Sequence, residues 1–132
     1  MAHLLIVDDD ATIRHLIRRT LERSGHSMVE AENGREAIRN LTQKRADLVL
    51  LDLNMPEMEG IETVQEIRRT FPSTKIIVIS GVEAVYLKGS QLLGADAAIR
   101  KPFHPEELRE TVARVLEAPD RTETPVARAR PS

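Results

Sequence analysis

Three short, uninterrupted aliphatic runs, at residues 4–7, 48–51 and 76–79, limit the architectures open to this chain. Each is too short for a core helix, and none alternates apolar with polar residues as a half-buried strand would. Runs of this kind are strands covered on both faces, the situation of a parallel sheet enclosed by helices. Weaker strands are expected at 27–31 and 97–99.

Between these runs the apolar spacing changes to that of helices. Asp10 is a natural N-cap ahead of a stripe of Ile13, Leu16, Ile17 and Leu21, and Gly25 can end that helix. Asn33 with Glu36 three residues later has the form of a capping box, followed by Ala37, Ile38 and Leu41. Ile61, Val64 and Ile67 predict a third helix that stops before Pro72. A fourth, weakened by its interior Gly89, is expected over 83–93. A fifth opens at Pro105, with Glu106 and Glu107 in its first turn, and carries Leu108, Val112, Val115 and Leu116. Five alternations of strand and helix define an α/β fold. They imply a doubly wound, five-stranded parallel sheet with five helices and right-handed crossovers. One domain is expected over 1–118, followed by an aperiodic, Pro-rich and disordered tail over 119–132.

Composition narrows the function. With 132 residues there is room for one core. The 19 basic and 21 acidic side chains give a net charge of −2, which argues against direct nucleic-acid binding as the main activity. Cysteine is absent, so disulfides and thiolate metal sites are excluded. No signal peptide or membrane span is legible, and a cytoplasmic protein is expected. His3, His15, His26 and His104 show no ligand spacing. Arg18, Arg19, Arg68 and Arg69 read as solvated helix faces.

The chemistry lies at the carboxyl ends of the strands. The first ends in Asp8-Asp9-Asp10, the third in Asp52, the fourth in Ser80 and the fifth in Arg100-Lys101-Pro102. Open α/β sheets bind ligands beyond these ends, so the fold would gather the four groups on one rim. Asp8, Asp9 and Asp52 crowded together would repel, and one would take up a proton unless a cation intervened. Magnesium suits such a site, being a hard ion that takes oxygen ligands and keeps several waters. Its charge and that of Lys101 together match the three carboxylates. A carboxylate in this setting can accept a phosphoryl group, with the ion, the lysine and the Ser80 hydroxyl offsetting charge on the phosphoryl oxygens.

The acidic group after LLIV, then LLDLNMPEMEG, IIVIS and RKPF, in that order, resembles the receiver domain of two-component response regulators over residues 3–117. The resemblance implies the strand order 2-1-3-4-5, a fold the chemotaxis receiver exemplifies. It implies that Asp52 is the phosphoacceptor, with Ser80 and Lys101 as its catalytic partners. Asp9 would bind magnesium directly, Asp8 through water, and Asn54 through its main-chain carbonyl. Lys101-Pro102 is similar to the family's cis peptide, while Met55-Pro56 and Gly60 would shape the loop beside the acceptor. The implied partners are a histidine kinase or histidine phosphotransfer protein and a downstream output protein. These would be met by a monomer or weak homodimer without an effector domain after 117. Output contact would fall on the fourth and fifth helices and the fifth strand. Asn54 and Val82, flanking the acceptor and the hydroxyl, would set the lifetime of the phosphorylated state.

One position departs from the family. Three residues before the lysine, where receivers often carry a Tyr or Phe as a switch residue, this chain has Ala98. Movement of residues 80–84 and of the fourth helix, which carries the single Tyr86, is the expected substitute.

Two other readings compete. Asp8-Asp9-Asp10-Ala11-Thr12 also fits the DxDxT motif of haloacid-dehalogenase-like phosphohydrolases, with Asp8 as nucleophile and Asp10 as acid. That reading needs a further acidic strand end after the lysine, and none follows Lys101. The second is a receiver-fold binding module that is never phosphorylated. Such modules usually lack part of the acidic group, the acceptor or the lysine.

Overall fold

The computed structural model describes residues 1–53, 57–81 and 94–119; Asn54, Pro56, Val82, the helix expected over 83–93 and the tail from 120 lie outside them. Five parallel strands form one sheet: β1 (His3–Val7), β2 (Ser27–Ala31), β3 (Leu48–Asp52), β4 (Lys75–Ser80) and β5 (Ala97–Arg100). Their order is β2-β1-β3-β4-β5. Four α-helices accompany them among the described residues: α1 (Ala11–Leu21), α2 (Gly34–Gln43), α3 (Glu57–Thr70) and α4 (Pro105–Glu117).

The uninterrupted aliphatic runs have a simple physical cause. Successive side chains on a strand point to opposite faces, and here each face is a core. Leu5, Val7, Val49, Leu51, Ile76 and Val78 pack with Ala37 and Leu41 of α2 and Val64 and Ile67 of α3. Their strand neighbours Leu4, Ile6, Leu48, Leu50, Ile77 and Ile79 pack with Ile17 and Leu21 of α1 and Leu108, Val112 and Val115 of α4. The register Leu4↔Leu48 and Val49↔Ile76 keeps each set on one side of the sheet. A slip of one residue would exchange the two sets, so the strand ends are held at fixed heights.

The helix ends follow local chemistry. Asp10 caps α1, its side chain accepting from Thr12 N at 2.9 Å. Asn33 Oδ1 accepts from Glu36 N at 2.9 Å, but Glu36 Oε1 takes the Glu32 N–H instead of closing a reciprocal box on Asn33. Helix α1 passes into a 3₁₀ turn, Glu22–Ser24, before Gly25 ends it. The last carbonyls of α4 are satisfied from across the fold. Lys75 Nζ donates to the carbonyls of Val115 (2.9 Å), Leu116 (3.3 Å) and Ala118, neutralising the negative end of the helix.

Three sequence expectations are corrected. Leu16 is not part of the buried stripe: it is 47% exposed, because Ile17 and Leu21 fill the space under α1. Arg18 and Arg68 are not merely solvated. Arg18 pairs with Glu30 at 2.8 Å. Arg68 reaches Gly94 O, Pro72 O, Thr74 O and Asp96 Oδ2, so it fastens the end of α3 to the approach to β5. Gly60 belongs to the first turns of α3 rather than to the preceding loop.

Helices α2 and α3 approach closely at Gly34, where a Cβ would collide with Thr63 Oγ1. Gly34→Ala should therefore cost about 1–3 kcal/mol through overpacking. Urea unfolding checks this, and a midpoint equal to the parent's would show that Thr63 turns aside freely.

Candidate functional site

The order β2-β1-β3-β4-β5 sets the carboxyl ends of β1, β3, β4 and β5 side by side. Asp8 follows β1 and its N–H donates to Ala31 O at 3.1 Å. Asp52 closes β3 opposite Ile79, and Ser80 closes β4 opposite Arg100. The Lys101 N–H donates to Ser80 O at 2.7 Å, and the Lys101–Pro102 peptide is cis. Asp8, Asp52 and Ser80 are buried, whereas Asp9 is exposed.

Side-chain geometry joins these ends. Asp8, Asp9 and Asp52 each offer a carboxylate oxygen within 4.8 Å of the other two. Lys101 Nζ stands 3.2 Å from Asp52 Oδ1. Asp8 Oδ1 accepts from Asp10 N at 2.9 Å, while its buried Oδ2 has no hydrogen-bond partner among the described residues. An ionised carboxylate oxygen left in that condition is costly. Burial pushes the Asp8 carboxyl up to about 7, and the adjoining Asp52 adds to the rise; the Asp10 N–H and the Lys101 ammonium oppose it. Either a proton or a cation belongs between these oxygens. The oxygen-only donor set, with one buried orphan and one exposed carboxylate, fits a hard divalent ion that keeps part of its water.

Pro102 is exposed at the rim, and Gly60 is buried in α3, where a Cβ would lie 2.9 Å from Leu53 Cδ2. Gly60 thus lets α3 close on the residue that follows Asp52. Ala98, partly buried on β5, packs against the core beneath α2 and α3. Beside the acidic cluster lies a shallow apolar cleft of about 470 Å³ lined by Ile13, Leu16, Gly81, Lys101, Pro102 and Phe103. Sequence periodicity overlooked this cleft, since it assigned Leu16 to the core. It also overlooked Arg14, whose Nη1 donates to Asp8 O at 2.6 Å; no local pattern ties that arginine to the acidic turn.

Residues 4–113 match the family model described as the response regulator receiver domain. Chemotaxis protein CheY of Thermotoga maritima is 37% identical over 115 residues, covering 85% of this chain and 95% of that protein. Transcriptional regulatory protein ResD of Bacillus subtilis (strain 168) is 45% identical over 107 residues, covering 80% of this chain but only 44% of ResD; the chain thus spans less than half of that relative. Among solved structures, a CheY-like receiver domain protein from Methanospirillum hungatei JF-1 superposes with TM-score 0.82 at 30% identity, over 89% of this chain and 94% of that one. CheY4 of Vibrio cholerae gives 0.80 at 35% identity, over 87% and 98%. The family match and these relatives agree with the parallel α/β sheet and its acidic rim, and this chain belongs to the response regulator receiver domain family. Receiver domains are the phosphoacceptor switches of two-component signalling.

The rise at Asp8 has a sign that can be tested. The folded state holds this proton to higher pH than the unfolded chain, so metal-free stability should fall as pH rises from about 4 to 7. Asp8→Asn should remove that loss and raise the metal-free thermal midpoint at pH 7.5 by several degrees. A midpoint unchanged or lowered at that pH, by calorimetry, would show that the Asp8 charge carries no penalty.

Proposed function

We propose that Asp52 is the phosphoacceptor of this receiver, taking a phosphoryl group from a phosphohistidine donor and losing it to water. The observation that carries the reading is Lys101 Nζ at 3.2 Å from the buried Asp52 Oδ1, with the Asp8 and Asp9 carboxylates in the same cluster. An Asp52 oxygen forms the new O–P bond while the donor's N–P bond breaks, and the departing imidazole takes a proton from solvent. Water later attacks phosphorus, releasing phosphate and restoring the carboxylate. Each cycle moves one phosphoryl group, so the domain acts as a switch rather than a turnover enzyme. Lys101, already paired with Asp52, can turn to the incoming phosphoryl oxygens, and Ser80 at the neighbouring strand end offers its hydroxyl. Asp8, Asp9, Asp52 and the Asn54 carbonyl would hold magnesium, which when bound supplies positive charge to the phosphoryl oxygens.

The phosphohydrolase reading is disfavoured by the site itself. Asp10 spends its carboxylate on the Thr12 N–H as a helix cap, and Asp8 is buried with one oxygen tied to Asp10 N. The acidic group, acceptor and lysine are all assembled, which disfavours a silent binding module.

A donor that delivers its phosphoryl group to Asp52 must stand on the rim. The cleft of Ile13, Leu16, Pro102 and Phe103 is the apolar ground available beside the acceptor, and we assign the donor contact to it. The donor is a histidine kinase or phosphotransfer protein, which implies a cytoplasmic setting; among the described residues no helix is long and apolar enough to cross a membrane. Output passes to a protein partner.

Incubation with magnesium and a small phosphodonor such as acetyl phosphate, followed by mass-spectrometric mapping, should find the acylphosphate on Asp52. Asp52→Asn should abolish it. Label on Asp8, or sustained turnover of phosphomonoesters, would refute the assignment. Leu16→Asp should slow transfer from a phosphohistidine protein at least tenfold and leave labelling by acetyl phosphate intact; equal slowing of both would remove the cleft from donor recognition.

A further inference from the structure

Behind the acidic turn, on its main-chain side, runs a chain of charged contacts that none of the assigned roles explains. Arg14, one turn into α1, donates from Nη1 to Asp8 O at 2.6 Å and from Nε to Glu30 Oε1 at 2.8 Å. Glu30 sits on β2, and its second oxygen accepts from Arg18 Nε at 2.8 Å. Arg18 in turn reaches Met28 O at 3.1 Å. Both Glu30 oxygens are thus engaged, and Arg18 together with Arg14 holds its carboxyl below the ordinary range against a partial desolvation. The Arg14 side chain is only 13% exposed, so this pair is better shielded than a surface ion pair.

We infer that Arg14, braced by Glu30, is a positioning residue for the cation-binding carboxylates of Asp8 and Asp9. The Asp8 carbonyl belongs to the peptide unit that carries the Asp9 N–H. Fixing its oxygen sets the direction in which the Asp9 backbone, and therefore its exposed carboxylate, leaves β1. The other atoms of Asp8 are held as well: N–H by Ala31 O and Oδ1 by Asp10 N. Oδ2 is the Asp8 oxygen without a hydrogen-bond partner among the described residues. The planar guanidinium presents Nη1 to Asp8 O and Nε to Glu30 in one fixed geometry, which the point charge of a lysine on its flexible stem holds less well. The same bracing fixes the ligands before a cation arrives, as supporting hydrogen bonds do around metal sites generally. This inference rests on the reading of Asp8, Asp9 and Asp52 as a magnesium site.

The test is a magnesium titration without phosphodonor, followed by calorimetry and by the amide NMR shifts of Asp9 and Asp10, alongside urea unfolding of the same proteins. Arg14→Ala and Glu30→Ala should each raise the half-saturating magnesium concentration about tenfold, and Arg14→Lys should fall between them and the parent. The double variant should be no worse than the weaker single, because both residues act through one contact. Arg69→Ala, which removes an exposed arginine from α3, should titrate like the parent. If Arg14→Ala does not fold, Arg14→Lys and Glu30→Ala carry the measurement. Variants that lose stability yet keep the parent's half-saturation would assign the contacts to folding alone and overturn the inference. A parent that shows no saturable binding sensitive to Asp9→Asn would instead overturn the magnesium site itself, and this inference with it.

Discussion

Three carboxylates share a few ångströms at the rim of this sheet, and one ammonium stands against them. Most of what is distinctive about the molecule is a response to that imbalance. Asp52 is buried with Lys101 at its side. Asp8 is buried with one oxygen engaged and the other bare, and its proton is held accordingly. A site left short of positive charge in a low-dielectric setting is one that a cation would stabilise.

Such crowding is tolerable only on a rigid platform. The platform here is a sheet whose two faces are both dry, with alternate strand residues committed to opposite cores. Because register is locked on both sides, the Asp8 and Asp52 carboxylates cannot slide apart to relieve their repulsion. Ties at the opposite end of the sheet, such as Lys75 on the last turn of α4, add to this constraint. At the rim neighbouring backbone is engaged as well. Ala31 O, Ser80 O and Ile79 O each accept from the first residue beyond an adjacent strand.

Several residues behave differently from what spacing alone suggests, and each has a reason in three dimensions. Leu16 has the helical phase of a core residue, but Ile17 and Leu21 occupy the contact under α1, and Leu16 lines the rim cleft. Arg18 and Arg68 look like solvent-facing charges in a linear pattern. Their acceptors, Glu30 and Asp96 with Gly94 O, come from segments 12 and 26–28 residues away. Gly60 reads as a loop glycine, yet it is the point at which α3 closes on Leu53.

The linear order of residues was sufficient for the strand count, the parallel arrangement, the helix caps at Asp10 and Asn33, and the identity of the polar groups at the strand ends. All of these depend on periodicities and contacts within a few residues, where chain chemistry acts directly. The resemblance to receivers supplied the strand order and the roles proposed for Asp52, Ser80 and Lys101. Folding alone decided that Lys101 Nζ meets Asp52 Oδ1, that Asp8 Oδ2 is stranded, and that Arg14 joins Glu30 to the back of the acidic turn. Those contacts join atoms from different strands and helices, and their distances depend on packing angles and register, which no local pattern of residues encodes.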